Sequence, residues 1–290
     1  MDFQHFAPQI NKIPKVTPKQ SASIAFRNTL RDNFTISTWL AMGAILQGLL
    51  VFLVRPTFAV APAALILFYR FSRTMLMHFG IIRNTQMDGV LTGKYTVQIP
   101  DRDGNPPSES SEQSIAIIML GFRTNHALGI FGPGAREIGD YFQGMMANLS
   151  EEKATNGYLG VSYYTSSNDR LTTNGTMACC YFRTVEDIHR FAHSAIHREA
   201  WDWWNKITAT HPHMSIMHEV YSAPKKNWEN IFVNYHLTGI GEIQKPVIIN
   251  GQEFKPIVNA VRGPLSTQKG RIGQPGLSAN AKQYPADIKA

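Results

Sequence analysis

His218 and Glu219 stand side by side in MSIMHEVY, residues 214–221, an imidazole and a carboxylate inside an otherwise apolar run. An ionisable group in such surroundings needs a partner, and either residue is chemically suited to general-base work. In a strand, alternation groups His218 with Met214, Ile216 and Val220, and Glu219 with Ser215, Met217 and Tyr221, so only one of the two can face a given cavity. The same residues also have a structural reading, with His218 a satisfied core histidine and Glu219 a hydrogen-bonding anchor. They belong to a stretch, His189 to Gly241, that holds seven of the ten histidines and four of the five tryptophans. Asn234, in a run that also carries Trp228 and Asn230, offers an amide to a carbonyl or peroxide oxygen, or else caps its strand. Trp201, Trp203 and Trp204 serve either a core or a substrate cage.

Two other patterns carry less. His189, His193 and His197 sit at i, i+4 and i+8, a spacing that can present imidazoles to a metal along one helix stripe. On an unbroken helix, however, the apolar face centres on Ile188, Ala192 and Ala195, which leaves His197 nearly opposite. A break near Ser194 would turn it inward. The segment FGPGAREIG, residues 131–139, imitates a haem-thiolate signature but has Ile138 where the cysteine ligand would be, and isoleucine cannot ligate iron. Neither a glycine-rich dinucleotide fingerprint nor a phosphate loop occurs, so flavin and nicotinamide are not encoded by a recognisable motif.

The elements that must position these groups follow from period. Ile115 to Phe122 is a continuous apolar run expected as a strand covered on both faces. Gly132, Pro133 and Gly134 open a helix over 135–149. Tyr158 to Tyr164 and Met177 to Phe182 read as strands joined by a polar loop containing Asn168, Asp169 and Asn174-Gly175. Thr184 with Asp187 caps a further helix. Met214 to Tyr221 and Trp228 to Asn234 complete the set. The order β-α-β-β-α-β with one further strand predicts an α+β, ferredoxin-like domain over 114–241. Residues 79–113, with the turn-rich PDRDGNPPSESSEQ, are expected as a connecting segment, and 242–290 as an extended tail.

The formal charge of +7 comes from dispersed basic residues without a nucleic-acid module, so an anionic membrane surface is the expected partner rather than nucleic acid. Cys179 and Cys180 are adjacent, which points them to opposite strand faces and predicts free thiols in a reducing compartment. After a basic tail, 1–32, the run Thr35 to Val54 has 20 residues without a charge, about what a helix needs to cross a hydrocarbon core of roughly 30 Å. Thr57 to Tyr69 follows Arg55 and Pro56, is interrupted by Pro62, and at 13 residues is too short to span alone. Residues 33–78 therefore predict a membrane-associated helical hairpin, with a buried soluble hairpin as the alternative. Arg27 and Arg31 before it and Arg70 and Arg73 after it place both flanks in the cytosol. The expected location is a membrane, that of the endoplasmic reticulum, with the globular domain facing the cytosol.

The segments IMLGFRTNHALGIFGPGAREIGDYFQGMMANL, YFRTVEDIHRFAHSAIHREAWDWWN and MSIMHEVYSAPKKNWENIFVNYHLTGIG resemble a mostly fungal family of monooxygenases. That family is similar to antibiotic-biosynthesis monooxygenases and, more distantly, to haem-dependent aldoxime dehydratases. The resemblance covers 115–241 and implies a dimeric α+β barrel, a homodimer, in which the sheet face left bare by helices forms a pocket. It implies oxidation of a hydrophobic secondary metabolite of polyketide or terpenoid type by dioxygen, without a bound cofactor. By motif position it highlights Arg123, His197, Trp201, His218, Glu219, Trp228 and Asn234. On that basis His218 is expected as the base, Asn234 and Arg123 as oxyanion partners, and Trp201, Tyr221 and Trp228 as substrate contacts. The rival expectations are a haem enzyme with His197 or His218 as axial ligand, and a non-enzymatic carrier of a lipophilic intermediate.

Overall fold

The computed structural model describes residues 26–152, 155–166 and 175–273. Most of the basic tail, Asn168, Asp169 and Asn174 of the polar loop, and the last 17 residues, 274–290, lie outside the described residues. Among the described residues the chain divides into a helical unit up to Gly89 and a mixed α+β unit from Val90 onward.

In the helical unit, α1 spans Ile36–Leu53 and α2 spans Pro56–His78. Thr35 caps α1 by accepting the Thr38 N–H at 3.2 Å. Its 18 residues have a mean hydropathy of 1.9 and none is buried, so by length and composition α1 is able to cross a membrane. The second run differs from the expected short arm, because α2 is continuous for 23 residues through Arg70 and Arg73. Pro56 occupies the first position, where a missing N–H costs nothing, and Pro62 in the second turn forfeits only the bond to the Phe58 carbonyl.

The α+β unit is built on four antiparallel strands: β2 (Ile115–Thr124), β3 (Tyr158–Thr165), β4 (Thr176–Phe182) and β5 (Met214–Ala223). They are ordered β3-β4-β2-β5, with α3 (Ala135–Glu151) between β2 and β3, and α4 (Val185–Ala192) and α5 (Ala195–Ile207) between β4 and β5. This is the ferredoxin-like plan the periodicity predicts. Antiparallel pairing puts directly opposed residues on one face. Ala116, Ala178, Cys180 and Tyr158 therefore pack beneath Met146 and Leu149 of α3 and Ile188 of α4.

The opposite face is partly roofed by a second sheet that the sequence reading does not anticipate. Its central strand, β1 (Val90–Val97), lies in the segment expected to be a connection, and pairs with β6 (Phe232–His236) and β9 (Ile257–Asn259). The strand expected over 228–234 is thus shifted and belongs to this sheet. Between the two sheets Ile115 and Leu159 meet Leu91, Tyr95, Phe232, Leu237 and Ile243, with Ile117 and Tyr181 at the edge. The segment expected to be a tail contributes β9 and the hairpin of β7 (Val247–Ile249) and β8 (Gln252–Phe254), with Val247 and Val258 fully buried.

One polar joint holds the α4 entry to the long loop before β2. Thr184 accepts the Asp187 N–H at 3.1 Å, as the capping pattern predicts. The Asp187 carboxylate is fully buried and meets Arg190 at 2.7 Å and Arg102 at 3.1 Å. Gly157, at φ 72°, passes so close to that carboxylate that a side chain there would strike it. Buried Arg183 donates to the Pro100 and Asp101 carbonyls at 2.8 and 2.7 Å. Replacing Asp187 with alanine removes the acceptor for two guanidinium groups, and is expected to destabilise the unit by about 3 kcal/mol. Urea denaturation followed by tryptophan fluorescence measures this, and a loss below about 0.5 kcal/mol would show the joint to be incidental.

Candidate functional site

The ten-residue register between β2 and β5 decides which chemistry-bearing side chains share a face. Leu120 opposes His218, whereas Met119 opposes Glu219, Ile117 opposes Tyr221, Gly121 opposes Met217 and Arg123 opposes Ser215. Leu120 belongs to the helix-covered side, so His218 lies there too, and Glu219 lies on the other. On β4 and β3, Cys179, Met177, Ser162 and Tyr164 join the Glu219 face by the same rule. Cys180 faces the helices, where burial pushes its thiol up to about 12, an inert structural cysteine. Both cysteines are free, as their adjacency predicts.

The Glu219 face is open where the second sheet stops. At the end of β2 and the start of β5 lies a cleft of about 490 Å³, lined by Arg123, Tyr164, Met177, Ser215 and Met217 of this face and by Phe122, Thr176 and Ile216 of the other. Met217 lies directly over Gly121, where a methyl group would meet its Cγ at 2.7 Å. Gly121 thus lets a flexible thioether form the floor. Glu219 is two positions along β5 from Met217 and is not itself among the lining residues. The Tyr221 hydroxyl donates to its Oε2 at 2.5 Å, and this bond to the carboxylate raises the Tyr221 pKa. Tyr164 is held above the usual phenol range, chiefly by burial. Neither Tyr164 nor Met177 was singled out from sequence, although alternation within their strands places both on this face.

His197 and His218 form a separate pair on the helix-covered side. The helix expected over this region breaks at His193 and Ser194, so that α5 restarts in a new phase and His197 turns inward. Its ring packs edge-on against Phe191 with centroids 5.7 Å apart. Desolvation lowers its pKa first, with His193 and His218 adding to the effect. Among the described residues no group of three histidine, cysteine or acidic side chains is placed to hold a metal.

Three residues expected at the site serve other ends. Trp228 is buried between the sheets and its indole donates to the Gln113 carbonyl at 2.7 Å, so it is core and not a substrate contact. Asn234 sits at φ 47° in the second sheet, not on the main sheet that carries Glu219, and its Oδ1 accepts the Gly93 N–H at 2.8 Å, which ties β6 to the bulge in β1. His218 cannot be the base of the open face, because alternation turns it to the other side. Trp201 is half exposed on α5. Arg123 and Tyr221 do lie on the open face.

A model of the family described as "Monooxygenase af470-like" matches residues 115–240. Monooxygenase af470 of Aspergillus fumigatus is 33% identical over 250 residues, which cover 84% of this chain and 90% of that protein. Among solved structures, an aldoxime dehydratase superposes with a TM-score of 0.39 at 19% identity, over 54% of this chain and 42% of its own. A variant of SnoaB, a cofactor-independent oxygenase from Streptomyces nogalater, gives 0.25 at 13%, over 37% and 92%. These two structural likenesses are too slight to bear on chemistry.

The His197 environment has a measurable consequence. Its pKa is lower folded than unfolded, so below about pH 6.5 the unfolded chain binds the proton more readily and stability falls with pH. Denaturation midpoints compared at about pH 7.5 and about pH 5.5 should drop less in His197→Gln than in the wild type. An equal drop would remove His197 as a source of acid sensitivity.

Proposed function

The chain belongs to the monooxygenase af470-like family, and we propose that it is a membrane-bound oxygenase that oxidises a hydrophobic, enolisable or phenolic small molecule on the open face of its main sheet. As a member of that family it is a monooxygenase. The observation that supports the finer reading is that Glu219 shares its sheet face with Arg123, Tyr164, Met177 and Met217 of the cleft, whereas His218 lies on the other face.

In this reading the substrate lies against Met177, Met217 and Tyr164, which supply apolar area and a phenol. Glu219 takes the acidic proton and Tyr221 holds its carboxylate in place. The resulting carbanion or phenolate passes an electron to dioxygen, and the two combine to a peroxide that loses water to give the carbonyl product. One oxygen atom enters the product and the other leaves in water, with the substrate itself as reductant and no flavin or nicotinamide involved. Arg123 stabilises the developing oxyanion. The apolar exposure of α1 supports the membrane reading, since a bilayer would deliver such a substrate. A polyketide or terpenoid metabolite, handled at the cytosolic face of the endoplasmic reticulum, fits these requirements.

Exposure of β5 on both faces supports a homodimer. Ile216 and Val220 on one side, and Met217 and Tyr221 on the other, are each more than a third exposed on a sheet edge. A second copy would close the open face. Light scattering of detergent-purified protein is expected to count two chains per particle, and one chain would reject the closure.

The rival haem reading turns on His197, a half-buried imidazole packed edge-on against Phe191. His197 would hold the iron, and a haem would supply oxygen activation or dehydration chemistry there. An optical spectrum of the purified protein separates the two readings, with no Soret band expected. For catalysis, substrates can be found by oxygen uptake across enolisable and phenolic lipophiles. Glu219→Gln is then expected to lower kcat/KM by roughly 10²–10⁴-fold, and His218→Ala to stay within about threefold of wild type. The reverse pattern would return the base to His218, and ligand binding without oxygen uptake would make the protein a carrier.

A further inference from the structure

We infer that Arg70 and Arg73, near the C-terminal end of α2, form a binding surface for the headgroups of anionic phospholipids. The inference rests on the membrane reading above and adds the residues that meet the headgroups. The two helices are separated only by the joint at Val54 and Arg55 and touch one another. Along α2, Arg70 and Arg73 lie 15 and 18 residues beyond Arg55 at the joint. At 1.5 Å per residue those levels lie about 22 and about 27 Å from the joint. A hydrocarbon core is about 30 Å thick, so both levels fall at its boundary once the arginine stems extend.

Three further features fit that boundary. The Trp39 indole donates to the Arg31 carbonyl at 2.9 Å, an apolar ring with a polar tip of the kind that anchors at headgroup depth. Around α2 the two arginines are about 60° apart, and Phe71, Met75 and Phe79 occupy the opposite side. Phe71, between the two arginines in sequence, is 65% exposed, so that level offers both cations and apolar area. A free anion would use only the first, whereas a lipid uses both.

Charge completes the argument. No acidic residue occurs between Asp32 and Asp88, while four arginines do. Arg83 is paired with Asp88, and Arg31 before the hairpin with Asp32. Among the described residues Arg70 and Arg73 have no carboxylate within ion-pair distance, which leaves their charge to the solvent or to a headgroup.

The test uses the full chain synthesised in the presence of vesicles of phosphatidylcholine, with or without about 30% phosphatidylserine, a composition that carries a surface potential. Flotation reads membrane association, and gentle detergent extraction followed by lipid analysis reads the lipids retained. The wild type is expected to float with both vesicles and to retain phosphatidylserine enriched several-fold over the mixture. Each cation near the surface is worth roughly fivefold, so R70Q/R73Q should lose most of that enrichment and R70K/R73K should keep it. Retained lipid matching the vesicle composition, or unchanged enrichment in R70Q/R73Q, overturns the headgroup surface while leaving the membrane reading intact. A wild type that floats with neither vesicle overturns the membrane reading itself, and the inference with it.

Discussion

The alternation of side chains along the β2–β5 ladder is the constraint on which the candidate site depends. A strand has two faces and a period of two, so the register fixes the side of every residue at once. A slip by one residue would move Glu219 beneath the helices and His218 into the open. β2 resists that slip because it is the interior strand of the pair. Its even-numbered residues Ala116, Ile118 and Leu120 are claimed by the helices, and Ile115 and Ile117 by the second sheet. Two independent apolar surfaces must then agree on one register. β5 inherits its own by hydrogen bonding to that strand along its whole length.

What could be read from sequence was local. The main sheet and its helices follow from apolar runs, from the Thr184–Asp187 cap and from the turn at Gly132 to Gly134, all set within a few residues. β1 escapes because Thr92, Gly93 and Lys94 interrupt its pattern at a bulge, and only pairing with strands more than a hundred residues away makes it a strand. β7, β8 and β9 have three residues each, too short for any period to show. The helix break at His193 and Ser194 has no glycine or proline to announce it, and only the two alternatives for His197 could be written down. Pro62 suggests a stop that the second turn of a helix tolerates.

The site was legible to the extent that one of His218 and Glu219 had to face a cavity. Choosing between them required knowing what covers each side, which is a property of α3, α4 and the second sheet and not of β5. Trp228 and Asn234 mislead for a related reason. An indole N–H and a side-chain amide are as useful for closing a backbone hydrogen bond as for holding a substrate, and sequence does not record which carbonyl or N–H lies opposite. In the structure those partners are Gln113 and Gly93, both far away along the chain.

The exposure of β5 links the proposed chemistry to assembly. An edge strand with apolar residues on both faces is a template for association, and soluble proteins usually guard such edges with charge, proline or a covering element. Here the one acidic residue within the strand is Glu219, whose carboxylate is engaged by Tyr221 on the open face. A partner laid over that face would exclude water from Glu219, Tyr221 and the Met217 floor together. Proton transfer to a carboxylate and charge development beside Arg123 are both more strongly controlled by fixed groups once water is gone. In the proposed dimer, the exposed apolar area on β5 would stay open for substrate entry and become a dry chamber only once the second copy is in place.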